Sequence, residues 1–198
     1  MTRPLTTPLR RATPHDADAL AKLIDIAGEG IPSWLWQASC PPGQSVLSVG
    51  ADRARRETGG FSYTNATVWE AEGNVAGMVL AYPIASAPSE DPETLPAPIA
   101  PFVELEAQAV GTWYINALAV FPGLRGAGIG AALLQETERQ ARAKGHERVS
   151  IQVYAQNTGA HRLYERVGFR LSAKAPVRDH PCQPYYTGDV LLLVKNLG

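Results

Sequence analysis

The hydrophobic positions of the chain follow two spacings in mixed order, which predicts interleaved strands and helices. Apolar residues three to four positions apart predict helices at residues 16–27, 31–36, 45–57, 128–144 and 157–167. Shorter apolar runs predict strands at residues 9–12, 67–72, 75–82, 113–120, 149–154, 169–173 and 185–194. A hairpin turn at Gly73 and Asn74 should join the second and third strands, and the last two should be antiparallel. No repeat or linker divides the chain, so we expect one domain over residues 1–198.

One stretch organises the rest of the chain, because a strand there ends in a glycine-rich turn. Residues 113–120 are apolar on both faces, as in a central strand that is covered on both sides. The turn then reaches the next predicted helix through Gly126, Gly128 and Gly130. The first N–H groups of a helix have no internal partner, and the helix dipole favours negative charge there. The stretch therefore predicts a binding site for a ligand that carries phosphate.

A long proline-rich segment, residues 83–111, precedes this strand. Six of the 16 prolines of the chain lie between Pro83 and Pro101. Prolines at this density exclude a regular helix over the segment and disfavour a central strand. Connections of this length in a compact domain are usually functional or mobile. We therefore expect the segment to lie over the site that the following strand helps to form.

Three classes of glycine-rich, phosphate-binding turn can follow a strand. The residues around this turn are inconsistent with two of them. A nucleoside-triphosphate loop needs a lysine after its last glycine, and none is present. Residues 126–131 match the dinucleotide pattern Gly-x-Gly-x-x-Ala, and Glu147 lies 21 positions after Gly126. That acidic residue should end the next strand, whereas Glu147 precedes the strand. The third class binds coenzyme A.

Two blocks of residues carry a resemblance to a known family. The motif Arg-x-x-Gly-x-Gly, which begins at Arg125 after an apolar strand, resembles the coenzyme A turn of the GNAT superfamily of N-acetyltransferases. In the second block, Asn157 stands seven residues before Tyr164, and a Gly-Phe pair closes the helix. Together the blocks cover residues 113–171. The resemblance implies an α/β (α+β) fold with a mixed, mostly antiparallel central sheet of six to seven strands, flanked by helices on both faces.

The resemblance also implies acetyl-coenzyme A as cosubstrate and no metal. The pyrophosphate would lie on the amides of the glycine turn, and the pantetheine arm would follow the edge of the strand before it. Arg125 would either approach the phosphate or brace the turn, and Asn157 would bond the pantetheine, cap its own helix, or do both. The implied donor site comprises Leu118, Ala119, Val120, Arg125, Gly126, Ala127, Gly128, Ile129, Gly130, Ala131, Asn157 and Tyr164.

The implied reaction is direct attack of a primary amine on the thioester within a ternary complex. Tyr164 would be the general acid for the departing thiolate, because a phenol with a pKa near 10 can supply that proton; a core tyrosine is the other interpretation. Glu106 and Glu29 are equal candidates for the base, ahead of Glu104. A rival hypothesis is a degenerate relative that binds acyl-coenzyme A for regulation or structure without turnover. The candidate acceptor contacts are Glu29, Trp34, Glu104, Glu106 and Asn116.

The distribution of charge bears on the partners. A formal net charge of -1 provides no basic field for nucleic acid, and no apolar run is long enough to span a membrane. Residues 57–124 contain no Lys, Arg or His but hold eight of the 19 acidic residues. This asymmetry predicts an acidic mouth for a cationic acceptor, either a small molecule or a peptide. Residues 1–14 lack the apolar core of a secretory signal, so we expect a cytoplasmic protein; a homodimer stays open.

Overall fold

The structure, a computed structural model, describes residues 8–198 and interleaves seven strands with six helices. The strands are β1 (Leu9–Arg11), β2 (Ala66–Ala71), β3 (Asn74–Pro83), β4 (Trp113–Val120), β5 (Arg148–Tyr154), β6 (Arg170–Pro176) and β7 (Asp189–Asn196). The helices are α1 (Ala17–Ala27), α2 (Ile31–Gln37), α3 (Val46–Ala54), α4 (Ala100–Glu106), α5 (Ile129–Ala143) and α6 (Thr158–Arg166). Half of the segment 1–14, judged above not to be a secretory signal, lies outside the described residues. Across residues 8–198, none of the helices has the length and apolar character needed to cross a bilayer.

All seven strands belong to one sheet, in the order β1-β2-β3-β4-β5-β7-β6. Every neighbouring pair is antiparallel except β4 and β5, which run parallel. The prediction of a mostly antiparallel sheet of six to seven strands is therefore confirmed. The parallel ladder pairs only Trp113, Tyr114 and Ile115 with β5, and the two strands separate beyond that point. Within residues 8–198, this separation leaves one edge of the last residues of β4 without a partner strand.

Helices cover both faces of the sheet, as the resemblance implied. On one face, Met78 and Leu80 of β3 belong to the same buried cluster as Leu20 of α1, and α3 packs against α1. On the other face, Val79 of β3 belongs to a buried cluster with Leu133 of α5 and with residues of α6. Side chains that alternate along β3 therefore enter two separate cores, which explains why this strand is apolar at nearly every position.

One helix lies inside the proline-rich segment, where no regular helix was predicted. Helix α4 occupies part of residues 83–111, and Pro101 stands in its first turn. A proline is tolerated there because its missing N–H would have no partner within the helix. The prediction is therefore wrong for these seven residues. The helix packs against β6 and β7 and directs its other side toward the centre of the sheet.

Several element boundaries also differ from the prediction, and two of these differences change a turn or a loop. The turn between β2 and β3 consists of Glu72 and Gly73, which both take left-handed backbone conformations with φ of 52° and 77°. Asn74, predicted to be in the turn, already pairs with Ala71 in the ladder. Strand β7 starts at Asp189 instead of residue 185, because residues 177–188 form an irregular loop between β6 and β7.

The packing of α2 against α3 depends on a position that lacks a side chain. A Cβ added at Gly50, in the middle of α3, would lie 2.4 Å from the ring of Trp36, which is fully buried. Gly50→Ala should therefore lower the free energy of unfolding by about 1–3 kcal/mol, although alanine favours helix by about 1 kcal/mol. Unfolding by denaturant would measure this change in the free energy of unfolding. Gly159→Ala in α6, where an added Cβ approaches nothing closer than 4.0 Å, is the matched control and should be neutral or stabilising.

Candidate active site

The separation of β4 from β5 opens a cavity of about 830 Å³. Residues 116–120 of β4 and 151–154 of β5 form its floor. Residues 124–131, with the cavity-facing side of α6, form what we call the donor wall. The acceptor wall comprises lining residues from positions 24–35 and 98–106, together with Tyr82 and Tyr114. The cavity therefore brings together elements that are far apart in the sequence.

The glycine turn presents bare backbone to the cavity. Gly126 and Gly128 both have φ of +82°, and a Cβ added at either would meet no atom within 4 Å. Gly128 is the N-cap of α5, so the free N–H groups of the helix begin directly after it. Every residue predicted for this turn lines the cavity except Ala127. An open space at the positive end of a 15-residue helix fits a pyrophosphate group.

Arg125 braces the turn, one of the two roles that the sequence left open. Its Nε donates a hydrogen bond to the carbonyl oxygen of Val120, 3.1 Å away, and so ties the turn to the end of β4. The side chain also lines the cavity, so its remaining N–H groups are available to an anion. Bracing and phosphate binding are therefore compatible.

The end of β4 offers an edge that suits the peptide-like amides of a pantetheine arm. Leu118, Ala119 and Val120 pair with β3 on one side and line the cavity on the other, beyond the last pair with β5. Asn116 is the extra residue of a bulge in the β3–β4 ladder, and it lines the cavity too. The unpaired edge and the glycine turn together fit coenzyme A.

Asn157 links the two walls of the cavity. Its Oδ1 accepts a hydrogen bond of 3.1 Å from the backbone N–H of Ala160, which caps α6. Its Nδ2 donates a hydrogen bond of 2.7 Å to Oε1 of Glu29, at the junction between α1 and α2. Capping is therefore one role of this side chain. The second N–H of the amide has no such bond within residues 8–198, so it can serve a ligand.

Glu29 is held in a strained conformation beside this amide. Its φ of +52° is left-handed, a conformation that costs a non-glycine residue about 1 kcal/mol or more. Strain of this kind accumulates at functional sites. Burial raises the pKa of the Glu29 carboxyl, and hydrogen bonds from Asn157 and Tyr185 oppose that rise. The carboxylate is consequently a stronger base than a solvated one.

Tyr164 lies on the inward side of α6, with a side chain only 5% exposed. It lines the cavity and also packs against Phe169, at a ring-centroid distance of 6.0 Å. Burial, and then the negative charge of Glu29, raise the pKa of its hydroxyl well above the usual value. The phenol is protonated at neutral pH, and the raised pKa makes it a weaker acid than a solvated phenol. The core and cavity roles of this side chain coexist.

Glu106 lies on the acceptor wall, near two tyrosines that the sequence analysis did not select. Burial raises the pKa of the Glu106 carboxyl, and the charge of Glu90 adds to the rise. The rings of Tyr82 and Tyr114 meet edge to face at 5.9 Å. These tyrosines are direct partners in the β3–β4 ladder, so they lie on one face of the two paired strands.

Two predicted acceptor residues are not brought to the cavity. Trp34 packs against His180, with ring centroids 4.7 Å apart, and Glu104 is exposed on the outer side of α4. Neither lines the cavity, whereas Glu29, Glu106 and Asn116 do. Tyr154 and Tyr185 were missed. They pack together at 4.9 Å, and nothing in the sequence near Tyr185 signals this contact.

Comparisons with known proteins agree with this geometry. A model of the acetyltransferase (GNAT) family matches residues 33–169. No curated protein sequence matches the chain significantly. A crystal structure of an acetyltransferase superposes with a TM-score of 0.66 at 21% identity, over 96% of this chain and 99% of that one. An N-acetyltransferase from Staphylococcus aureus Mu50 gives a TM-score of 0.61 at 20% identity, over 94% and 98%.

A further similar structure contains the cosubstrate. The yncA protein from Salmonella typhimurium, solved with its cofactor acetyl-CoA, gives a TM-score of 0.60 at 18% identity. The match covers 96% of this chain and 93% of that one. At these identities the similar structures support the fold alone, whereas the family match supports the class of reaction.

Proposed function

Because the chain belongs to the GNAT acetyltransferase family, we propose that it transfers an acetyl group from acetyl-coenzyme A to a primary amine by direct attack in a ternary complex. The observation that carries the proposal is the cavity where β4 leaves β5. It joins a glycine turn suited to pyrophosphate, an unpaired strand edge, a basic carboxylate and a buried phenol. Each of these serves one requirement of the reaction.

The donor wall holds the cosubstrate. The N–H groups at the start of α5 and the guanidinium of Arg125 would bind the pyrophosphate. The free edge of residues 118–120 and the Nδ2 of Asn157 would bond the amides of the pantetheine. Bound acetyl-coenzyme A supplies an acetyl group activated as a thioester. The structure supports this use through the open space above Gly126 and Gly128.

Glu29 takes the role of base in this proposal, and Tyr164 takes the role of acid. An amine with a pKa near 10.4 is mostly protonated at neutral pH, and presenting it neutral costs about 4–5 kcal/mol. Glu29 lowers that cost by accepting the proton, and Tyr164 gives a proton to the sulfur. Glu29 is hydrogen-bonded to Asn157, the N-cap of the helix that carries Tyr164, and its charge raises the pKa of Tyr164, which favours Glu29 over Glu106 as the base.

The basic experiment measures release of coenzyme A from acetyl-coenzyme A with and without a panel of primary amines. We expect release to depend on an amine and to yield the N-acetylated product in equal amount. Binding of acetyl-coenzyme A without turnover over the whole panel would instead support a degenerate, non-catalytic relative. Stabilisation by NAD but not by acetyl-coenzyme A would contradict the assignment of the donor.

Gly128→Ala should weaken binding of coenzyme A about tenfold or more, because the added Cβ would enter the space left for phosphate. It should also cost about 1–2 kcal/mol of stability, since φ is +82° there. Gly145→Ala is the matched control. Gly145 has φ of +79° and open space around it but lies outside the cavity. Calorimetric titration should show equal affinity for the control and the wild type.

A further inference from the structure

Glu106 is the carboxylate of the cavity that lacks a protein partner among the described residues. Its side chain is partly buried on the acceptor wall, so it has lost part of its contact with water. No hydrogen bond or ion pair to it occurs within residues 8–198, and the influences on it are burial and the like charge of Glu90. A carboxylate removed from water without compensation is costly. A cation bound beside it would supply the missing compensation.

Two tyrosine rings line the same cavity wall as this carboxylate and favour a cation further. Burial and the charge of Glu106 raise the pKa of both Tyr82 and Tyr114, so both phenols stay neutral. Neutral aromatic rings attract ammonium and guanidinium groups through their faces. Phe102 lies one helical turn before Glu106 in α4 and adds a third ring to the same wall. The arrangement suits a cationic group and gives little to an anion.

Glu29 has a different environment, which separates the roles of the two carboxylates. It receives a hydrogen bond from Asn157, and its charge acts on Tyr164, Tyr154 and Tyr185. Glu106 instead acts on Tyr82 and Tyr114. Glu29 therefore lies beside the proposed reacting atoms, while Glu106 lies beside a different group of side chains in the same cavity.

The positive charges of the cavity belong to the donor wall. Among the described residues that line it, the cationic side chains are Arg125, next to the glycine turn, and Arg166, at the end of α6. The acceptor wall offers no lysine, arginine or histidine within the described part of the chain. A carboxylate on the acceptor would therefore meet Glu29 and Glu106 without a counter-charge.

We propose that the acceptor is an amine with two cationic groups and no carboxylate. One primary amine reacts beside Glu29, and a second ammonium or guanidinium is held by Glu106 beside the Tyr82–Tyr114 pair. This inference rests on the proposed acetyl transfer and adds the class of acceptor. Glu106 is then a specificity-determining residue instead of the base.

The test compares three acceptor series of equal chain length: straight-chain diamines, monoamines with a methyl end, and ω-amino acids. The wild type should acetylate the best diamine with kcat/KM at least about tenfold above its matched monoamine, as expected for one partly buried charge pair. The matched ω-amino acid should be the poorest acceptor. E106Q should remove the preference for the diamine, mainly through a higher KM for the diamine.

Glu104→Gln is the matched control, since Glu104 lies on the same helix but is exposed and outside the cavity. It should keep the full preference for diamines. Equal kcat/KM for diamines and monoamines in the wild type would overturn the inference, as would equal losses for both acceptors in E106Q. The wild-type comparison decides the matter even if E106Q fails to fold. Failure to acetylate any amine would contradict the proposed acetyl transfer itself, whereas transfer without a diamine preference contradicts only the acceptor class.

Discussion

Tyr164→Phe is expected to lower kcat about a hundredfold or more, with little change in the affinity for acetyl-coenzyme A. The substitution removes the hydroxyl that would protonate the leaving sulfur, and general acid catalysis contributes about 10²- to 10⁴-fold. The ring keeps its packing against Phe169, so the fold should be preserved. Steady-state rates at saturating donor, together with calorimetric titration of acetyl-coenzyme A, measure the two effects separately.

Tyr63→Phe provides the control for this change. This substitution also removes only a hydroxyl. Tyr63 packs against the α1 face of the sheet, but it does not line the cavity. Its rates should match those of the wild type. A Tyr164→Phe variant that is folded and retains more than half of kcat would remove Tyr164 from the acid role and leave it as a core residue.

Glu29→Gln should have the second largest effect, a loss of about a hundredfold in kcat/KM near neutral pH. The amide cannot accept the proton of the amine, although it keeps the size of the side chain. The pH profile gives the sharper measurement. In the wild type, kcat/KM should fall on the acid side as the carboxyl takes up a proton, at a pH above the ordinary pKa because burial raises it. This acid limb should be missing from Glu29→Gln.

The pH at which kcat/KM falls on the acid side tests the contact between Glu29 and Tyr185. The hydrogen bond from Tyr185 opposes the rise in the pKa of Glu29, because it stabilises the charged carboxylate. Removing it in Tyr185→Phe should raise the pKa further and move the acid limb to higher pH. Tyr186→Phe, next in the chain and exposed, should leave the profile in place. A profile that does not move in Tyr185→Phe would mean that another group controls the limb.

Local pattern was enough to predict much of the sheet. The bounds of β4 match the predicted strand, because an apolar run closed by proline and glycine has few other conformations. Helix α5 was found within one residue at each end, from its apolar spacing and its terminal glycines. Strand β5 begins at Arg148, directly after Glu147, as the argument against a dinucleotide site required. These features depend on residues that are neighbours in the chain.

Features that depend on distant residues were beyond the sequence. The bond between Glu29 and Asn157 joins residues 128 positions apart, and no local pattern encodes it. Tyr185 reaches Glu29 because the loop before β7 returns to α2, where His180 packs against Trp34 and Tyr185 joins the buried cluster that contains Ile31. Helix α4 was missed for a different reason. Proline density alone does not reveal that Pro101 stands in the first turn of a helix, where a proline is tolerated, and not in the middle, where it would break the helix.

The short ladder between β4 and β5 has a consequence for stability. Within residues 8–198, the parallel ladder between β4 and β5 joins a four-stranded part of the sheet to a three-stranded part. This ladder consists of three residue pairs, formed by Trp113–Ile115 and their partners. A cosubstrate bound along residues 118–120 would extend that ladder in the way an additional strand does, for as long as it stays bound. A ligand present at about 100 times its dissociation constant raises the free energy of unfolding by about 2.7 kcal/mol. We therefore expect the free energy of unfolding to rise with the concentration of acetyl-coenzyme A.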